Sequence, residues 1–319
     1  MRLLLLLLLP CVALAHESHS HYPVQLPAAN TLQNAESATP PIAKRFAPLK
    51  GEIGISWDDT WLYIESDGLP SHPTMAGIKA WQQQVPVPHN FTGKGAFRLP
   101  LQPSLLKEPS ELTLIGPIAI AVNGIPIFHA LTQSGKDAYA GGELDQWGGH
   151  CGRADDYHYH IAPAHLEAVV GKGNPVAYGL DGYPIYVVNP AIDKPLDECH
   201  GYFDDAGNYR YVGELKPPYV MSKFRGEVDL SLRPPAQPLR PHLQPLRGAE
   251  IVSCLGNAKD GYLLTYRLRG KTATIAYSVN ANGSVDFVFT DPDGTVRREH
   301  HERRQARKGP PREGGKPRP

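Results

Sequence analysis

Leu144-Asp145-Gln146-Trp147-Gly148-Gly149-His150-Cys151-Gly152-Arg153-Ala154-Asp155-Asp156-Tyr157-His158-Tyr159-His160 is the stretch on which the reading of this chain turns. Three of the fourteen histidines fall within these seventeen residues. Tyr157 to His160 alternates two residue types, so in a β-strand both imidazoles leave one face and both phenols the other. The sequence predicts that His158 and His160 share a face. It also predicts that Gly148 and Gly149, free of Cβ, form a turn that swings His150 back over the strand.

An echo follows at an offset of 52, where Leu196-Asp197-Glu198-Cys199-His200-Gly201-Tyr202 aligns without gaps. Asp145 meets Asp197, Gly149 meets Gly201, Tyr157 meets Tyr209 and Tyr159 meets Tyr211, while His150, His158 and His160 meet Tyr202, Arg210 and Val212. A second echo, at an offset of 58, places Gly116 to Phe128 on Asn174 to Tyr186. The pattern predicts an internally duplicated β-rich core, each half holding a strand, an Asn/Asp-Gly turn, a loop and a Tyr-x-Tyr strand. The scaffold residues persist and the imidazoles do not, which sets the histidines apart from packing.

The run Gly149-His150 with Asp156-Tyr157-His158-Tyr159-His160, together with Asp181-Gly182-Tyr183-Pro184-Ile185-Tyr186 and Leu196-Asp197-Glu198-Cys199, resembles the YHYH domain family over roughly residues 60 to 225. That resemblance implies a secreted bacterial type of protein and fixes no reaction. Where many members of the family repeat the tetrapeptide, this chain has Tyr209-Arg210-Tyr211-Val212, so the second half is expected to lack a matching site.

The functional reading is a divalent transition metal, zinc or copper, held by His150, His158 and His160, with His165 or a carboxylate of Asp145, Asp155 or Asp156 nearby. Three imidazoles leave a fourth position on zinc for water, the arrangement used in hydrolysis. Carboxylate participation would shift the choice toward harder ions. The bland alternative is a Tyr/His ladder in which each ring bonds a carboxylate such as Asp145 or Asp156. One metal per chain, near the first half, is expected. Two function classes follow: a metal-binding or surface-recognition protein, placed first because no nucleophile or general base is identifiable, and a metal-dependent hydrolase or oxidase using the same cluster. A closed or flat site favours the former, an open position beside a concave pocket the latter.

Outward from this centre, Arg2 and the run Leu3 to Leu9 followed by Ala13-Leu14-Ala15 read as a secretory signal peptide over 1–15, so a secreted or periplasmic location is expected. Cleavage there exposes His16, with His19 and His21 close by, a set that could brace copper; the polar composition of 16–45 reads instead as a flexible leader. The core is expected over 46–230, opening with a hairpin of 53–57 and 61–66 around Asp58-Asp59-Thr60. His72 and Met75 have a spacing that suits a soft metal, and Gln82 to Gln84 suit either a sugar or peptide ligand or a closed loop. Arg233 to Arg247 holds five prolines, so 231–247 reads as a semi-rigid linker. A small antiparallel β meander of four strands is expected over 248–296, and a disordered basic tail over 297–319.

The fold class is therefore mainly β, with short helices and many loops. The chain carries 32 basic and 32 acidic residues; without the tail's nine basic and three acidic residues, 23 face 29, a net of minus six. This excludes nucleic-acid binding by the folded body, leaving the tail to contact anionic surfaces. No Gly-x-Gly-x-x-Gly, Gly-x-x-x-x-Gly-Lys-Ser/Thr, Gly-x-Ser-x-Gly or His-Glu-x-x-His motif occurs, so nucleotide chemistry is unsupported. With Cys11 removed, Cys151, Cys199 and Cys254 remain; a Cys151–Cys199 disulfide is favoured, leaving Cys254 as a thiol. Oligomeric state is not set by the sequence.

Overall fold

The computed structural model describes residues 39–49, 51–189 and 194–303. The expected signal peptide, His16, His19, His21 and the residues beyond Arg303 lie outside the described residues. Among the described residues the chain is mainly β with short helices, and the C-terminal meander is present.

β1 (Gly54–Trp57) and β2 (Trp61–Glu65) form the expected hairpin, extended by β3 (Phe97–Pro100). Asp58 closes its turn by accepting from the Thr60 and Trp61 amides and the Tyr63 hydroxyl. After β4 (Leu105–Glu111) comes an eight-stranded sheet. One half consists of β5 (Pro117–Ala121), β6 (Pro126–Phe128), β7 (Gly149–Cys151) and β8 (Tyr157–Tyr159). The other consists of β9 (Ala177–Gly179), β10 (Pro184–Val187), β11 (Gly201–Phe203) and β12 (Tyr209–Gly213).

The strand order is β11-β12-β10-β9-β5-β6-β8-β7. From the central β5–β9 pair outward, both directions show one antiparallel, one parallel and one antiparallel pairing. The registers agree as well: Ile127 faces Tyr159 as Ile185 faces Tyr211, and His150 faces His158 as Tyr202 faces Arg210. At the centre Ile120 pairs with Tyr178, with Ala119 on Gly179 and Ala121 on Ala177. There β5 meets β9, its own counterpart at the offset of 58, as across a two-fold axis.

This order overturns the expected disulfide. Cys151 ends β7 at one edge of the sheet and Cys199 lies two residues before β11 at the other, and all three thiols are free and buried. Seven strand spacings separate the edges, about 34 Å along the sheet at ~4.8 Å each. A disulfide needs Cα atoms roughly 4.4–6.8 Å apart. The two segments do pack into one body, but through β5 and β9, which sends Cys151 and Cys199 to opposite ends.

β13 (Lys223–Gly226) pairs with β4. Five antiparallel strands then close the described chain: β14 (Ala249–Asn257), β15 (Gly261–Leu268), β16 (Lys271–Val279), β17 (Val285–Thr290) and β18 (Val296–His301). The fifth falls where a disordered tail was expected. Its arginines hid it, yet Arg297 and Glu299 stand opposite Phe289 and Phe287 of β17, and charge is a common guard on an edge strand. The N-terminal leader also ends earlier than expected, because Pro41–Arg45 is a short helix with Ala43 buried.

The proline-rich segment is not a linker either. Leu239 and Arg240 are buried, the Leu246 amide donates to the Trp81 carbonyl, and Gln237 exchanges two hydrogen bonds with the Asn90 backbone. It is a strap across the core. The C-terminal sheet joins the same body through the Ile251 amide to Ile78 and the Gly77 amide to Ile251, and one continuous apolar core includes residues of both. Gln83 donates to the Gln244 carbonyl and Trp81 to the Gln84 carbonyl, so the glutamine run closes a loop.

Candidate metal centre

The β7–β8 hairpin assembles the site. Cross-strand neighbours on one face of a sheet stand side by side, and residues two apart on one strand share that face. His150 and His158 are direct partners across the pair, and His160 follows two residues on. His150 therefore arrives by strand register rather than by a loop swung over the strand. Gly148, at φ +81°, makes the turn that starts β7. Gly149 serves another purpose: a Cβ there would lie 2.5 Å from the Tyr157 hydroxyl.

The turn is held by Asp145. Its carboxylate accepts from the Trp147, Gly149 and Met75 amides and from the Tyr157 hydroxyl. Asp197 does the same in the other half, accepting from Cys199, Gly201 and Tyr209. Burial pushes the Asp145 carboxyl up to about 6, countered by these donors. It thus supports the phenol side and touches none of the three imidazoles.

On the imidazole side, His160 Nε2 lies 3.0 Å from His150 Nε2 and 3.1 Å from His158 Nε2, and the three donor atoms lie within 4.8 Å of one another. The outer nitrogens face acceptors. His158 Nδ1 is 3.0 Å from the Asp156 carbonyl and His160 Nδ1 is 2.5 Å from the His129 carbonyl. His150 Nδ1 faces Glu143, whose carboxylate is 4.0 Å away. A carbonyl only accepts, so the Nδ1 atoms of His158 and His160 carry the protons and their Nε2 lone pairs point inward. Burial, then the charges His160 and His158 would carry, holds the His150 ring well below the usual imidazole range. Burial, then His158, pushes His160 down to about 3. Both rings are therefore neutral donors at physiological pH.

Nitrogens on a tetrahedral zinc, at ~2.05 Å each, stand about 3.3 Å apart, close to the two spacings that His160 Nε2 makes. The donor set is nitrogen alone, which suits zinc or copper rather than a hard ion. Phe128 stacks on His158 at 3.8 Å between ring centres and fixes its plane. The three rings line a cavity of about 620 Å³, shared with Glu143, Arg153 and the strap at Pro234. That volume lies within the range of small-molecule sites, roughly 300–1,000 Å³.

The other predicted residues fall elsewhere. His165 is on the phenol side, 3.4 Å from the Tyr159 hydroxyl, and its ring packs against His72 at 4.9 Å and Trp147 at 4.8 Å. Burial, then His72, lowers it to about 4. His72 and Met75 do not form a pair: Met75 is buried and borders the large cavity, while His72 faces Tyr159 and Trp147. Asp155 forms a buried ion pair with Arg240. Asp156 offers His158 its carbonyl, with its carboxylate at 3.6 Å and bonded to the Ala154 amide. Sequence reasoning missed Phe128, the last residue of β6, and the His129 carbonyl and Glu143 from the β6–β7 connection, none of which carries a local motif.

In the second half the corresponding place has a different chemistry. Arg210 donates through Nε and Nη2 to Asp204 and lies 4.8 Å over the Tyr186 ring. No lone pair is available from a guanidinium or from Val212.

The fold and site together define a mainly β protein with a convergent three-imidazole cluster on one hairpin. Residues 96–194 match the family model described as YHYH protein, so a YHYH domain surrounds the cluster. The match is narrower than the resemblance read from the sequence. It spans β3 through β10 and includes all three histidines. No curated protein and no solved structure matches the chain.

Proposed function

We propose that His150, His158 and His160 hold one zinc or copper ion, and that the protein acts at this ion as a metal-dependent enzyme of the hydrolase or oxidase kind. The observation that carries this reading is the convergence of three imidazole nitrogens on the wall of a cavity of about 620 Å³. A carrier or recognition protein is better served by a closed or flat site, so the concave setting moves the enzyme ahead of the binder favoured by sequence alone. The ion would supply Lewis acidity at its open side. The chain's own contribution is orientation by the Asp156 and His129 carbonyls, a plane fixed by Phe128, and the Glu143 carboxylate at the cavity wall. Burial raises that carboxyl, which suits it to accept and return a proton.

The two halves are further proposed to descend from a duplication in which one copy exchanged its imidazoles for an Arg210–Asp204 pair. Export is proposed from the 1–15 leader. Elemental analysis of the purified secreted protein tests the metal, and the mass of the same sample shows whether it begins at His16. The His158→Ala/His160→Ala variant should bind one equivalent fewer, whereas Arg210→Ala should leave stoichiometry unchanged. The open side is read by adding azide to the cobalt-substituted protein: a shifted ligand-field spectrum supports the enzyme, and an unchanged one returns the site to a carrier. Equal metal content in the double variant and wild type would remove the metal reading altogether.

A further inference from the structure

The reverse face of β8 gathers a second set of donors. Strand alternation sends Tyr159 away from the three imidazoles, and there it meets His72 from the loop after β2 and His165 from the turn after β8. His72 Nδ1 is 2.9 Å from the Pro73 carbonyl, so it carries the proton and Nε2 presents its lone pair to the Tyr159 hydroxyl at 2.7 Å. His165 Nε2 approaches the same hydroxyl at 3.4 Å. Asn123 Nδ2 also donates to that oxygen, at 3.1 Å. One phenolic proton therefore stands between two imidazole nitrogens, and the oxygen already has an amide donor on it.

The second half shows what a purely structural tyrosine looks like at this position. Tyr211 is the counterpart of Tyr159, and Asp181 stands where Asn123 does. The Tyr211 hydroxyl donates to the Asp181 carboxylate at 2.5 Å, and its oxygen accepts from the Arg225 amide. An acceptor there keeps the phenol protonated. Asn123 reverses the polarity by donating to the Tyr159 oxygen, which leaves the phenol proton facing the two imidazoles. Neither half-buried imidazole has a counterpart beside Tyr211 among the described residues. The Trp147 ring packs on both, 4.8 Å from each, and holds them at 88° to one another.

We propose that His72 Nε2, His165 Nε2 and Tyr159 Oη form a second metal site, selective for Cu(II), on the opposite face of the strand that carries the first. Two imidazoles and a phenolate form a mixed nitrogen and oxygen set, which suits a tetragonal copper ion better than the all-nitrogen front site does. Entry is from the half-buried edges of His72 and His165, and the phenol proton leaves to solvent as the ion binds. The argument is independent of the front site and survives its loss.

The test is a Cu(II) titration of the purified full chain, read by the visible charge-transfer band of a phenolate bound to copper. The band is the readout because the leader histidines also attract copper and blur a simple count. It should appear in wild type, persist in His158→Ala/His160→Ala, and vanish in Tyr159→Phe, which keeps the buried ring. A His72→Gln/His165→Gln variant, checked for folding by circular dichroism, should lose the band while its front site still takes zinc. Absence of the band in wild type, or its survival in Tyr159→Phe, overturns the proposal. Its loss in the folded front-site variant alone does so too, by placing the copper at the front.

Discussion

Replacing Arg240 by alanine tests whether the proline-rich strap is part of the fold. Arg240 is buried, and its Nε and Nη2 donate to the Asp155 carboxylate at 3.0 and 2.5 Å, with a further bond from Nη2 to the Gln83 carbonyl at 3.0 Å. The guanidinium also lies 4.5 Å over the Phe287 ring, so one side chain ties the β7–β8 turn, the glutamine loop and the C-terminal sheet together. Alanine would leave the Asp155 carboxylate buried with only the Val85 amide as donor. Removing one partner of a buried pair costs about 3–5 kcal/mol. That is roughly a third or more of the stability of an ordinary domain. The measurement is equilibrium urea unfolding of wild type, Arg240→Ala, Asp155→Ala and the double variant. The double should cost far less than the sum of the singles, since each single strands the other charge. Arg240→Met should lie between, because the aliphatic stem still covers Phe287. A loss under about 0.5 kcal/mol for Arg240→Ala, as on a solvated surface, would refute the strap and restore the linker.

Two further outcomes are expected. In Gly149→Ala the new Cβ meets the Tyr157 hydroxyl at 2.5 Å and the His158 carbonyl at 2.8 Å, while in Gly201→Ala it meets Tyr209 at 2.3 Å and the Arg210 carbonyl at 2.5 Å. Both should destabilise by about 1–3 kcal/mol, but only the first should weaken metal binding; equal loss of metal affinity in both would detach the site from the hairpin. Asp67 supplies a pH test, because its Oδ2 is buried without a hydrogen bond and burial pushes its carboxyl up to about 6 from 3.8. A raised carboxyl contributes stability in full below its unfolded value, and that contribution is lost as pH rises through 6. The stability of Asp67→Asn relative to wild type should therefore increase by roughly 2.4 kcal/mol between pH 4 and pH 7.5, most of the ~3 kcal/mol that a shift from 3.8 to about 6 carries in full. A difference that stays flat with pH in thermal or urea unfolding would show that Asp67 keeps its ordinary carboxyl.

What the sequence made legible is what a strand imposes locally. Tyr157-His158-Tyr159-His160 fixes two imidazoles on one face through period two, and the offset of 52 shows which residues the scaffold needs on both sides. The hydrogen bonds give that offset a cause: Asp145 and Asp197 each gather the amides two and four residues on and the tyrosine hydroxyl twelve residues on. His150 was placed correctly by the wrong route, since a glycine pair suggests a swung loop just as readily as a turn feeding a strand. The misreadings share another physical origin. Whether Cys151 can reach Cys199 depends on the order of eight strands, which no local pattern encodes. Arg240 looks like one more solvated charge until Asp155, 85 residues away, is placed beside it. Arg297 and Arg298 lower the apolar content of β18 below what a strand normally shows, yet an edge strand needs only one ladder and tolerates charge for that reason. His72 and His165 are the sharpest instance. In sequence they stand 93 residues apart with no common motif, and they meet only because β8 turns its second tyrosine away from the three imidazoles. The alternation that makes the front site legible is thus what assembles the reverse face, with two of its three donors supplied from outside the strand.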